Sequence, residues 1–323
     1  MRGWVAHPLD PLSADEFATA AAILRREHDV QAGGPGLGWR FASIEVAEPT
    51  KVELRAFERD GTTPGRRATV ICLNRTNNAT YKSVVSLSAD RVETFEHVPG
   101  VQANFTVDEF VECDQLLRTH PELLAALARR GITDIDLVFF DTWTYGDAVA
   151  PAEFRDRRLG WSDTWLKDGP GMNPYAHLIS GLHCVIDVNA MEVLRVEDGE
   201  HIDIPDVMGE YVPRHVPERI RAAQRRDPLK PLHITQPDGP SFTLDGNLLE
   251  WQNWSLRVGF NYREGMTLHS VNYRDGDRTR SIAHRLSFAE MVVPYRDPSP
   301  DHYRRTAFDI GEWGLGFMTQ SLE

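Results

Sequence analysis

Cysteine is scarce in this 323-residue chain: Cys72, Cys113 and Cys184 are the only three, far apart and with no Cys-x-x-Cys pair. That excludes a disulfide framework and a cysteine zinc site. Reduced thiols, and a cytoplasmic setting with them, are the expectation. No stretch approaches the ~20 apolar residues of a membrane span. The opening Met1–Asp10 lacks the apolar core an export signal needs, so the Asn-x-Ser/Thr sequons at Asn74, Asn78, Asn104 and Asn253 are read as chance matches. Positive charge is also in deficit, 35 Lys and Arg against 48 Asp and Glu, for a net charge of −13. Nucleic-acid binding draws its affinity from counterion release by basic groups, so a nucleic-acid partner is excluded. An anionic membrane surface is disfavoured for the same reason. No Gly-x-Gly-x-x-Gly or Walker loop offers a nucleotide site. Gly33-Gly-Pro-Gly-Leu-Gly38 reads as a flexible linker instead of a phosphate cradle.

What is present is ordinary globular material, 41% hydrophobic and 26% charged, of a length that suggests two or three domains. Ser13-Ala-Asp-Glu16 is a capping box, and Phe17, Ala20, Ala21 and Leu24 follow it at helical spacing, predicting a helix over 13–28. A meander of about four strands follows, carried by Phe41–Val46, Val52–Phe57, Ala68–Cys72 and Val84–Leu87, with turns at Asp60-Gly61 and Asn77-Asn78. The plan restarts after Pro99-Gly100. Thr106-Val-Asp-Glu109 is a second capping box, and Pro121 leads a further helix to Arg130. Strands are predicted at Ile135–Phe140, Arg157–Leu166, Leu182–Asp187 and Glu192–Asp198. Residues 204–231 read as a linker. From Leu232 the pattern is all strand, at Ser241–Leu244, Trp254–Phe260, Met266–Tyr273 and Arg280–Phe288. The fold class expected is α+β: two small helix-plus-antiparallel-sheet domains, 1–98 and 99–230, then the incomplete start of a β-sandwich over 231–323.

The third region carries several long motifs in order. They are Gln236-Pro-Asp-Gly-Pro-Ser-Phe242, Trp251-Gln-Asn-Trp-Ser-Leu-Arg-Val-Gly-Phe-Asn-Tyr-Arg-Glu-Gly265, Ala289-Glu-Met-Val-Val-Pro-Tyr295, Asp297-Pro-Ser-Pro300 and Phe308-Asp-Ile-Gly-Glu-Trp313. This run resembles the opening of the catalytic domain of copper amine oxidases, topaquinone-dependent enzymes that oxidise primary amines. The resemblance extends back to His7-Pro-Leu-Asp-Pro-Leu12. It implies a primary amine and oxygen as substrates, an aldehyde, ammonia and hydrogen peroxide as products, and a homodimer.

By that resemblance Asp309 is the base that removes the α-proton of the bound amine, a task suited to a carboxylate whose pKa burial raises. Pattern alone would favour a turn or cap before Gly311 at this position. Tyr295 matches the tyrosine that orients the quinone; without the resemblance it reads as a sheet-edge packing residue. The channel wall is assigned to Ala307, Phe308, Gly311, Glu312, Trp313 and Gly316. Ala307 and Trp313 stand where the family often has tyrosine, which leaves the substrate preference open. Copper ligation in the family needs a His-x-His pair and a third His, and topaquinone needs Asn-Tyr-Asp/Glu-Tyr. Neither motif occurs in this sequence: Asn-Tyr at Tyr262 and Tyr273 is followed by Arg-Glu and Arg-Asp. No cofactor-binding or metal residue is therefore assigned, and the chain by itself is expected to be truncated and inactive. A non-catalytic binding or dimer-interface module of the same ancestry is the alternative. A hydrolase using Asp309 and Glu312 is a weaker third reading, since three residues of separation outside a helix set no carboxylate spacing.

Overall fold

The computed structural model describes residues 7–224, 230–305 and 314–317. Ser13 opens helix α1 (Ala14–His28) with both arms of its capping box formed, and Asp29 closes it in the left-handed region. Ala20, Ile23 and Leu24 form its buried stripe. They pack on Ala68, Val70, Cys72 and Val85 of a four-stranded antiparallel sheet, each large side chain adding roughly 1.5–3 kcal/mol by leaving water. The sheet runs β1 (Trp39–Val46), β2 (Arg67–Asn74), β3 (Ala79–Ser86) and β4 (Arg91–His97), in sequence order.

The segment Val52–Phe57, expected as a strand, is instead part of helix α2 (Lys51–Asp60) between β1 and β2. Thr50 and Glu53 build a complete capping box, and Gly61, at φ 74°, donates its N–H to Phe57 O. Only Leu54 of its apolar residues is buried. The fourth strand of the meander is β4, a mostly exposed strand in which only Val92 and Phe95 reach the core. The Gly33–Gly38 loop is not a linker either. Ala32 and Gly38 bridge, Arg75 N donates to Gly38 O at 2.8 Å, and a Cβ on Gly33 would stand 2.6 Å from Leu37 O. Glycine is required here because two backbones touch.

The next module has helices α3 (Val107–Arg118) and α4 (Pro121–Arg129), then a second four-stranded antiparallel sheet. Its strands are β5 (Val138–Thr144), β6 (Leu159–Leu166), β7 (His177–Asp187) and β8 (Glu192–Asp198). The strand expected from Ile135 starts later, because Asp134 caps a 3-10 turn over Ile135–Leu137. Helix α5 (Glu218–Gln224) lies in the stretch read as linker. The third sheet joins β9 (Phe242–Asp245), β10 (Leu248–Trp251), β11 (Trp254–Asn261), β12 (Gly265–Asp275) and β13 (Arg278–Ser287) as an antiparallel meander. Among the described residues the strands of this region form one sheet. The molecule is α+β, as its sequence pattern implies.

Two compact units emerge. One gathers the described residues of Met1–Thr106, Asp238–Val293 and Ala307–Glu323; the other, those of Val107–Pro237 and Pro294–Thr306. Inside the first unit the third sheet meets the N-terminal module through ion pairs. Asp10 takes Arg257 at 3.0 Å, and Glu48 takes His269 at 3.0 Å and Arg285 at 2.9 Å. Inside the second, Arg158 and Glu109, both sealed from water, pair through two contacts.

Candidate functional site

Six of the residues assigned to catalysis and substrate, Asp309 with Ala307, Phe308, Gly311, Glu312 and Trp313, lie outside the described residues. Tyr295 and Gly316 are described, and they fall in different units. Gly316 sits against the end of β11, where its N–H donates to Tyr262 O at 3.0 Å while Leu315 N donates to Arg263 O at 2.9 Å. Gly314, at φ 88°, leaves no room for a Cβ beside Tyr262 O. The backbone after Trp313 is thus pinned by glycines that allow close approach.

Gly316 borders a cavity of about 490 Å³ in the first unit, walled by Phe17, Phe41, Ile44, Phe260 and Tyr262. Its one carboxylate wall residue is Glu45. Burial raises the Glu45 pKa, against a 3.2 Å hydrogen bond from Arg263 N.

In the second unit the chain from Pro294 to Arg305 lies with the sheet of β5–β8. Cross-strand register sets Asp141, Asp163, His183 and Glu197 side by side on one face, one from each strand. Two adjacent carboxylates on neighbouring strands repel, and the 301–305 segment supplies the countercharge. Arg305 pairs with Asp163, Arg304 with Glu197 at 2.5 Å, and Asp301 accepts from His183 Nε2 at 2.7 Å. Asp301 also accepts from Ser180 Oγ and from Gly181 N at 2.8 Å. His183 Nδ1 faces Asp163 Oδ1 at 3.3 Å, an ion-pair distance without hydrogen-bond alignment. Aromatic faces complete the seat: Trp143 lies 4.3 Å from the Arg305 guanidinium, Trp161 5.3 Å from that of Arg304, and Tyr295 5.8 Å from Arg305.

Burial alone would lower the His183 pKa, but Asp163 and Asp301 outweigh it and raise it above its ordinary value. The His183 hydrogen bond, against burial and with help from Ser180 and Gly181, holds Asp301 well below the carboxylate range. Burial pushes Asp141 up to about 6, opposed by the Trp143 N–H and reinforced by Asp163. Sequence reasoning does not single out this cluster. Its one sequence signal is Ser162-Asp163-Thr164 between Trp161 and Trp165, polar residues on both faces of a strand and all buried.

Among the described residues no three His, Cys, Asp or Glu side chains converge as a metal site. With neither His-x-His nor Asn-Tyr-Asp/Glu-Tyr in the sequence, the donors present do not fit copper or topaquinone, and no reaction step is derived through either.

Comparison with known proteins places the whole chain. Residues 7–97 match the copper amine oxidase N2 domain, 108–211 the N3 domain and 243–323 the copper amine oxidase enzyme domain. The chain belongs to the copper amine oxidase family. It is 40% identical over 321 residues to a primary amine oxidase of Arthrobacter sp. (strain P1), covering 98% of this chain and 47% of that protein. It is 37% identical over 357 residues to the peroxisomal N-methylputrescine oxidase 1 of Nicotiana tabacum, covering 100% and 45%. Among solved structures, a copper-containing benzylamine oxidase from Hansenula polymorpha superposes with a TM-score of 0.78 at 27% identity, over 96% of this chain and 49% of that one. The chain therefore spans about half the length of the curated relatives it matches.

Proposed function

We propose that this chain supplies the N2 and N3 domains, the catalytic base and one channel wall of a copper- and topaquinone-dependent primary amine oxidase. The observation that carries this reading is the three family domains matched in order along one chain, with Phe308-Asp-Ile-Gly-Glu-Trp313 inside the enzyme-domain match. The reaction converts a primary amine, oxygen and water to an aldehyde, ammonia and hydrogen peroxide. In the complete enzyme Asp309 would serve as the base that takes up the α-proton, and Tyr295 would help hold the quinone in place. Ala307, Phe308, Gly311, Glu312, Trp313 and Gly316 form the substrate wall. The net charge of −13 favours the approach of a cationic amine. A homodimer is the proposed assembly. The buried thiols of Cys72, Cys113 and Cys184, which form no disulfide with one another, support a reducing, cytoplasmic compartment.

Two measurements test this. The chain purified with copper should give neither quinone staining nor amine-dependent peroxide; a robust signal would overturn the assignment of the cofactor residues to sequence outside this chain. Assembled with the cofactor-bearing half of the Arthrobacter sp. enzyme, it should turn over primary amines. There Asp309→Asn should leave quinone staining intact and lower kcat by roughly 10²–10⁴-fold, the range a positioned base supplies. Near-normal turnover by that variant would remove Asp309 from the role.

A further inference from the structure

The cavity of about 490 Å³ lies wholly within the first unit, where the N-terminal module meets the end of β11. Sites for small organic molecules measure about 300–1,000 Å³ and pair a mostly apolar wall with a few placed polar groups. This cavity has that character. Leu12 and Phe17 close it from the α1 side, Phe41 and Ile44 from β1, and Phe260 and Tyr262 from the end of β11. Among the described residues β2 is the only strand paired with β1, and every residue from Phe41 to Val46 borders the cavity. Neighbouring residues of a strand point to opposite faces, so a cavity touching all of them runs along the strand's free edge. The β1 carbonyls turned away from β2 open toward it.

Glu45 supplies the charge. One of its carboxylate oxygens accepts from Arg263 N at 3.2 Å, and the other, Oε2, has no hydrogen-bond donor among the described residues. Burial, and to a smaller extent the neighbouring Glu264 carboxylate, raise the Glu45 pKa, while the Arg263 N–H and the charges of Arg263 and Arg285 oppose them. Both guanidiniums are engaged elsewhere, Arg285 by Glu48 and Glu264 and Arg263 by Glu290. A cation in the cavity relieves both the desolvation and the repulsion at Glu45; an anion compounds them.

We propose that this cavity is a binding site for an apolar organic cation, a primary ammonium carried on an aryl or alkyl body, with Glu45 as its counterion. An ammonium has three donors and no acceptor. One donor meets Glu45 Oε2, and the others meet carbonyls along the free edge of β1. The body lies among Phe17, Phe41 and Phe260, where it removes apolar surface from water. The net charge of −13 draws a ligand of the same sign. The site is built from the first unit alone and uses neither Asp309 nor a cofactor, so it stands apart from the amine oxidase reading.

Calorimetric titration of the purified chain at about pH 8 tests the site with 4-phenylbutylamine, 4-phenylbutanol and 4-phenylbutyrate, which share one body and differ in the head group. The amine should bind at one site, roughly tenfold more tightly than the alcohol, and the carboxylate should not bind. Glu45→Gln keeps an acceptor for Arg263 N and loses the charge. It should weaken the amine roughly tenfold and leave the alcohol unchanged. Phe17→Ala, at a partly exposed position of α1, should weaken amine and alcohol by the same factor. Leu244→Glu, on the exposed face of the third sheet, should leave the amine affinity as it is. No amine binding at millimolar concentration, equal binding of amine and alcohol, or an amine affinity unchanged in Glu45→Gln overturns the proposal. Binding lost in Leu244→Glu and kept in Phe17→Ala also overturns it, since the ligand then lies on the sheet face. If Glu45→Gln fails to fold, the head-group preference of the wild type and the Phe17→Ala titration decide.

Discussion

A carboxylate and a guanidinium shut away from water meet inside the second unit at Glu109 and Arg158. The local text Thr106-Val-Asp-Glu109 reads as a capping box, but the Glu109 side chain is fully buried and reaches a residue 49 positions away. Burying such a pair gains little net stability, whereas breaking it strands one charge. Arg158→Met should therefore cost about 3–5 kcal/mol in urea unfolding. The double replacement Glu109→Leu/Arg158→Met should recover most of that loss. A single variant within about 0.5 kcal/mol of the wild type would show that Glu109 finds water or another donor.

The same kind of contact seats an entire sheet at the element scale. Arg257, His269 and Arg285, cross-strand partners on β11, β12 and β13, face the N-terminal module and meet Asp10 and Glu48. Arg285 also binds Glu264, and with Ser287 and Asn261 it pulls the Glu264 carboxyl down to about 2 against the effect of burial. Burial raises the Glu48 pKa, but His269 and Arg285 more than reverse it. Depressed folded values mean stability that is present above the ordinary carboxylate range and lost as pH falls through the folded ones. Stability should fall between pH about 4.5 and about 2, and Glu264→Gln should flatten that slope. A slope unchanged in the variant would show that Glu264 does not contribute to it. Helix α2 belongs to this scale as well. Thr50-x-x-Glu53 is legible as a capping box, but Val52, Leu54 and Phe57 also fit a short strand, and tertiary packing buries Leu54 alone. β4 is weakly marked in the sequence because a mostly exposed edge strand buries little more than Val92 and Phe95 and shows no strict apolar alternation.

Across the whole molecule, burying the polar face of the third sheet leaves its other face apolar. Register places Phe242, Leu244, Trp251, Phe260, Met266 and Leu286 together on that side, and each is at least 45% exposed. An open patch of this kind marks a contact surface or an aggregation site. The purified chain should bind a hydrophobic dye and self-associate at micromolar concentration. Leu244→Glu/Phe260→Glu should reduce both without lowering the unfolding midpoint. Absence of dye binding in the wild type would show that the face is covered in solution.

The motif around Asp309 is assigned by family resemblance, whereas α1, α4 and most strands are legible in local text. Capping, periodicity and motif order are written within a few residues of one another, and neighbouring atoms impose them whatever the distant context. The charged cluster around His183 is not legible that way. His183 and Asp301 are separated by 118 residues, and nothing near either announces the other. Only strand register, which carries Asp141, Asp163, His183 and Glu197 into one row, creates the charged seat that Asp301, Arg304 and Arg305 fill. The same holds for the Gly33–Gly38 loop, whose glycines look like slack in the linear chain and are required because folding presses two backbones together.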